Sequence, residues 1–222
     1  MTTVGLIGSG MIGSTLARLA VDAGLEVVLS NSRGPETLSD LTAELGPLAR
    51  AASCAEAAQA GDILVVATPV KAYLDLPAAP FSGKVVMDTG NYYPERDGQL
   101  PELDSGSLTS SELLARQLPG AAVVKVFNNI FYKHLLNLAR PAGAADRSYL
   151  PIAGDNATAK AAVTAFLDLI GYGAVDVGAL ADGWRMQPGT PAYGPPYGTF
   201  DNEKGTPASA AVIRAALAAA TR

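Results

Sequence analysis

Two residue types that build many reactive centres are almost missing from this chain: among 222 residues there is one cysteine, Cys54, and one histidine, His134. A single cysteine excludes an internal disulfide and leaves too few thiolates for an iron–sulfur cluster or a zinc-thiolate site. One histidine cannot complete the usual nitrogen and sulfur ligand sets, so no metal is expected in the chemistry. Charge is sparse too, at 17% of residues with a net of −5 and no run of lysine or arginine, which argues against a nucleic-acid surface. No uninterrupted apolar run reaches the roughly 20 residues that span a bilayer, and the opening MTTVGLIGSG lacks the features of a secretory leader. These absences point to a cytoplasmic protein without membrane partners.

Apolar residues, by contrast, make up 49% of the chain, enough to fill a large core. Their pattern alternates. Val4 to Ile7 reads as a strand, Met11 to Ala23 as a helix ended by Gly24, and Glu26 to Ser30 as a second strand. A helix over Glu36 to Leu45, a weak strand at Leu48 to Ala51 and a helix over Ala55 to Ala60 follow. Then come strands at Ile63 to Ala67 and Val85 to Asp88, a helix at Ser110 to Leu118 and a strand at Ala122 to Phe127. Strands alternating with helices predict the α/β class, with a parallel, doubly wound sheet.

Beyond Phe127 the pattern predicts helices at Tyr132 to Leu138, Ala157 to Ile170 and Ala208 to Ala220, with strands at Tyr149 to Ala153 and Val175 to Val177. The Gly-, Pro- and Tyr-rich segment Trp184 to Gly205 reads as an ordered loop. The expected division is a Rossmann domain over residues 1–130 and a small C-terminal α/β domain over 131–222. The alanine-rich last helix suits a homodimer contact.

Gly8-Ser9-Gly10-Met11-Ile12-Gly13 matches G-x-G-x-x-G between the first strand and the first helix, where dinucleotide binding requires it. Gly8 permits the tight turn, Gly10 lets a pyrophosphate approach the backbone, and Gly13 lets helix and strand pack closely. The helix N-terminus then offers free N–H groups to the phosphates. A glycine-rich turn alone can bind nothing; the surrounding βαβ frame is what favours a dinucleotide.

At the end of the second strand an NAD site normally carries Asp or Glu. Here stand Asn31, Ser32 and Arg33. Arg33 can pair with the additional phosphate of NADP, and Asn31 and Ser32 can donate hydrogen bonds to it, so NADP(H) is the expected cofactor. The plainer alternative is that Asn31 and Ser32 only cap the next helix. Three later strand ends, at Ala67-Thr68-Pro69, Asp88 to Asn91 and Phe127-Asn128-Asn129, place small or polar residues where nicotinamide and its ribose would lie.

Together with VVATPV, VMDTGNYY, KVFNNI, IAGD and WRMQPGTPAYG, the GSGMIG and NSRGPETL segments resemble the NADPH-dependent reductases of the deazaflavin coenzyme F420. The resemblance spans nearly the whole chain and loosens after Phe127. It implies a Rossmann domain, a small C-terminal domain, NADP(H) held by Ser32 and Arg33, and a second redox ring, coenzyme F420 or a flavin, lying against the nicotinamide. Hydride transfer between stacked rings needs positioning more than an acid or base. Asn129, Tyr132, Trp184 and Tyr193 are the candidate contacts to this small-molecule acceptor.

Two other functions fit the same residues. Lys133 and Asn137 lie one helical turn apart, a spacing similar to that of β-hydroxyacid dehydrogenases, which makes Lys133 a candidate proton donor to small hydroxyacids or imines. A nicotinamide sensor without chemistry is the third reading.

Overall fold

The computed structural model describes residues 2–222 and builds them around one eight-stranded sheet. The strands are β1 (Thr3–Ile7), β2 (Glu26–Ser30), β3 (Ala49–Ala51), β4 (Ile63–Val66), β5 (Val85–Asp88), β6 (Ala122–Lys125), β7 (Tyr149–Ala153) and β8 (Gly173–Gly178). Their spatial order is β3-β2-β1-β4-β5-β6-β7-β8. The first six are parallel, and the chain direction of growth reverses between β1 and β4, the switch point at which Rossmann sheets bind ligands.

The helices are α1 (Met11–Asp22), α2 (Ser39–Leu45), α3 (Cys54–Ala60), α4 (Pro94–Asp97), α5 (Pro101–Asp104), α6 (Ser110–Gln117), α7 (Tyr132–Asn137), α8 (Ala157–Leu169) and α9 (Ala210–Ala218). None among the described residues is long and apolar enough to cross a membrane.

The central strands are mainly apolar because both faces of the sheet are covered. Val4, Leu6, Ile63 and Val65 point into one apolar layer with Leu16 of α1 and Phe166 of α8. Ile7, Leu64 and Val66 point into the other, with Ala57 of α3 and Leu114 of α6. Helix starts are encoded locally. Ser53 and Glu56 form a capping box on α3, Thr109 and Glu112 form another on α6, and Asn156 and Ser209 cap α8 and α9. The N-terminus of α1, by contrast, is Gly10 and has no side-chain cap.

Two expectations are corrected. The sheet is not wholly parallel: β7 runs antiparallel to β6, meeting it only where Lys125 pairs with Ala153. The intervening α7 has six residues, about 9 Å of helix, and packs on α1 instead of carrying the chain back along the strands. Strand β6 also stops at Lys125, two residues early, because Phe127 takes φ +65, a left-handed conformation that ends extended pairing. The short helices α4 and α5, each opened by proline, were not apparent in the apolar pattern.

Candidate active site

The glycine turn lies over the C-terminal ends of β1, β2 and β4. Gly8 has φ +103, and its N–H donates to the Ser30 carbonyl at 3.0 Å. A methyl group here would fall 2.4 Å from the Ala67 carbonyl oxygen, and one on Gly13 would fall 2.0 Å from the Gly8 oxygen. Both glycines are therefore required by close packing of turn, strand and helix. Gly10 differs: a methyl there would meet no protein atom within 4 Å. The open space in front of an uncapped helix N-terminus is the feature that a bound diphosphate would fill. Ser9 is engaged with the fold, its hydroxyl donating to the Ser30 carbonyl at 2.9 Å.

At the tip of β2, Asn31 shapes the turn. Its Oδ1 accepts the Arg33 N–H at 2.9 Å, and its Nδ2 donates to the Thr37 hydroxyl at 2.9 Å. Ser32 and Arg33 are left exposed, and the Arg33 guanidinium has no ion-pair partner among the described residues. The donor set at this tip is thus cationic and available, as an additional phosphate would need.

Between the turn and the second half of the chain runs a cleft of about 370 Å³. Met11 and Ile12 of α1 form one lip. Thr89, Asn91, Asn128 and Asn129 form a polar floor at the ends of β5 and β6, and the far wall is aromatic, from Phe131, Tyr132, Tyr193 and Phe200. No aspartate, glutamate, lysine, arginine or histidine lines it. Asn91 Nδ2 donates to the Asn128 carbonyl at 2.7 Å, while Asn128 Nδ2 donates to Asn91 Oδ1 at 3.0 Å and to the Met186 carbonyl at 2.7 Å. Asn129 Nδ2 donates to the Ala192 carbonyl at 2.9 Å. Carbonyls only accept, so both amide orientations are determined, and the buried Oδ1 atoms of Asn128 and Asn129 remain without a donor among the described residues. The Thr68 hydroxyl, beside the glycine turn, is likewise buried and unpartnered.

The structure does not gather every candidate here. Ala67 and Thr68 support the turn from below, and Pro69 is exposed. Trp184 does not line the cleft; the guanidinium groups of Arg185 and Arg222 lie over its ring, 4.6 and 4.9 Å from its centroid. Lys133 faces a neighbouring depression, where it pairs with Glu203, whose hydrogen bond raises the ammonium pKa. Asn137 shares that face as expected and donates to the Glu203 carbonyl at 2.8 Å. His134 is buried, its Nε2 2.8 Å from the Asn202 carbonyl.

Sequence reasoning also passed over a buried network beneath the floor. Asp88 accepts from the Tyr73 hydroxyl, from the Gly90 N–H at 2.9 Å and from Ser111 at 2.6 Å. Lys125 Nζ lies 3.5 Å from the Asp88 carboxylate and donates to the Gly90 carbonyl at 2.8 Å and to Ser110 and Ser111 at 3.1 Å. Burial lowers the Lys125 pKa, with Asp88 opposing, and burial together with Asp88 pushes Tyr73 well up. A charged residue inside each of two apolar strands was the signal for this pair.

The profile of the family described as NADP oxidoreductase, coenzyme F420-dependent, matches residues 3–92, which carry the glycine turn, Arg33 and the floor residue Asn91. A solved structure of a hypothetical protein from Sinorhizobium meliloti is 30% identical, with a TM-score of 0.73 over 85% of this chain and 91% of its own. Residues 3–92 are thus similar to the coenzyme F420-dependent NADP oxidoreductases, and the chain as a whole is similar to the Sinorhizobium protein. A second member of the comparison, from Arthrobacter sp. FB24 and provisionally assigned as an F420-dependent NADP-reductase, is 26% identical, with a TM-score of 0.67 over 81% of this chain and 85% of its own. An imine reductase from Pseudomonas sp. shares the fold alone, at 19% identity and TM-score 0.56, with 80% of this chain matching 56% of that longer one. Curated proteins gave no significant match. These likenesses support an NAD(P)-dependent oxidoreductase.

Proposed function

We propose that the protein transfers a hydride between NADPH and a planar redox ring, coenzyme F420 or a flavin, bound in the cleft. The observation that carries this reading is the charge-free, aromatic-walled cleft set beside the open N-terminus of α1. The N–H groups of residues 10–13 would hold the diphosphate, and Ser32 and Arg33 the additional phosphate. Thr68, Asn91, Phe127 and Asn128 would hold the nicotinamide end.

In this reading residues 1–130 hold the cofactor, while Tyr132, Tyr193 and their neighbours in 131–222 present flat walls to the acceptor. Such a site works by stacking and by excluding water, and it needs no acid, base or metal to move a hydride. The volume of about 370 Å³ lies within the usual range for small-ligand sites. Lys133 as proton donor has no support from the geometry, since Glu203 occupies it outside the cleft.

The test is NADPH oxidation followed at 340 nm with 8-hydroxy-5-deazariboflavin, riboflavin, a cyclic imine and a small hydroxyacid couple in parallel. Turnover confined to the planar rings is expected. NADPH binding without turnover of any of them would favour the sensor. Calorimetry on Arg33→Ala should show NADPH affinity falling about tenfold or more, as a charge-assisted contact implies, with NADH affinity unchanged.

A further inference from the structure

We infer that Tyr193, backed by Tyr93, is the proton-bearing catalytic residue of the cleft, its hydroxyl facing the acceptor ring. The inference rests on the reading of the cleft as the hydride-transfer site and adds to it the one step that stacking cannot supply. When a hydride enters a flavin-like ring the product is an anion, which a proton delivered to a ring nitrogen neutralises, and a charge-free cleft holds few groups able to give one.

Two titratable side chains line the cleft, Tyr132 and Tyr193. The Tyr132 hydroxyl makes no hydrogen bond among the described residues. The Tyr193 hydroxyl lies 2.5 Å from that of Tyr93, one hundred residues away in sequence. Tyr193 lines the cleft and Tyr93 does not, so the hydroxyl pair joins a cleft side chain to one outside it. Both tyrosines are held. The Tyr193 N–H donates to the Thr190 carbonyl at 3.1 Å, and the next N–H, that of Gly194, donates to the Asn129 carbonyl at 3.0 Å, fastening the loop to the cleft floor. The Tyr93 N–H donates to Asp97 at 3.0 Å, and the exposed Arg96 guanidinium stacks on its ring at 5.0 Å. Burial, and then the bond to Tyr93, raise the Tyr193 pKa, which keeps its proton in place throughout the neutral range.

The step balances as follows. The C4–H bond of the dihydronicotinamide breaks, and hydrogen moves with both bonding electrons to the acceptor ring, oxidising the nicotinamide. Tyr193 releases its hydroxyl proton to a ring nitrogen as Tyr93 passes its own proton to Tyr193. Water restores Tyr93. One proton from solvent is consumed per NADPH.

Tyr193→Phe and Tyr93→Phe each remove one oxygen and leave the ring packing. Using riboflavin and 8-hydroxy-5-deazariboflavin as probes, single-turnover reduction would be followed in H₂O and D₂O, and riboflavin binding by fluorescence without NADPH. Tyr193→Phe should slow reduction by about 10²-fold, abolish the solvent isotope effect and weaken riboflavin binding, with NADPH affinity unchanged. Tyr93→Phe should leave riboflavin binding intact, slow reduction less and diminish the isotope effect. Wild-type rate and isotope effect in Tyr193→Phe would overturn the inference alone. Wild-type protein that binds NADPH yet reduces neither probe would overturn the hydride-transfer reading, and this inference with it.

Discussion

Gly10 and Gly13 share one short motif but should fail in different ways when given a methyl group. At Gly10 the backbone has φ −74 and ψ −163, which alanine adopts without strain, and no atom lies within 4 Å of the new methyl. Replacing glycine by alanine at a helix N-cap costs about 1 kcal/mol or less, so Gly10→Ala should melt within about 4 °C of wild type. Its methyl nevertheless stands where, in the proposed reading, a diphosphate would approach the N–H groups of α1. Losing one charge-assisted hydrogen bond, about 1.5–3 kcal/mol, weakens NADPH about 10- to 150-fold. At Gly13 the methyl would lie 2.0 Å from the Gly8 carbonyl oxygen, and helix and turn would have to separate. Overpacking of this kind costs about 1–3 kcal/mol, so Gly13→Ala should lose stability even without ligand. Thermal melts with and without NADPH, paired with calorimetry, separate the two effects. A Gly10→Ala protein that binds NADPH like wild type would refute the placement of the diphosphate, and a Gly13→Ala protein as stable as wild type would refute the packing argument.

Lys133→Ala should leave steady-state NADPH turnover unchanged, because the ammonium is paired with Glu203 outside the cleft; a loss of kcat would revive the hydroxyacid reading. Lys125→Met should cost about 3–5 kcal/mol by stripping Asp88 of its buried cation, a fall of about 6–20 °C in Tm, which denaturant titration would check. Asp97 gives an acid-stability prediction. Burial alone would raise its carboxyl pKa, but Arg96 and the N–H groups of Tyr93 and Lys71 outweigh this and lower it. Its folded pKa is below the unfolded value of about 3.9, so its stabilisation is complete above that pH and drains away as pH falls through the folded pKa. The stability gap between wild type and Asp97→Asn should therefore be constant near neutrality and shrink below about pH 4.

Much of the architecture was legible because β1, β2, β4 and β5 are continuous apolar runs bounded by glycine or polar residues, and α1 and α8 carry apolar stripes. The glycine turn was equally readable, since close packing leaves no other residue at Gly8 and Gly13. The reversal of β7 was not, for direction depends on how α7 packs on α1, which no local pattern records. In the candidate site, strand-end polar residues were easy to list but their partners were not. Trp184 looked like a wall for the acceptor, yet its ring is packed by two arginines away from the cleft. Phe131 and Phe200 reach the cleft from separate segments, and Tyr93 meets Tyr193 across one hundred residues, distances over which periodicity carries no information.

Phe127 is the one non-glycine residue among those described with positive φ, and it is also part of the cleft. Holding a bulky side chain in that conformation costs about 1–3 kcal/mol, offset by a buried ring that meets Phe166 of α8 edge-on, with centroids 6.4 Å apart. Evolution therefore faces an awkward trade at this position. Glycine would relax the main chain but erase an aromatic surface, whereas any other large residue keeps the surface and inherits the tension. The cleft's shape and the backbone's strain are bound to a single side chain, so its wall is more readily altered on the loop side, around Tyr193 and Phe200, than at the strand end.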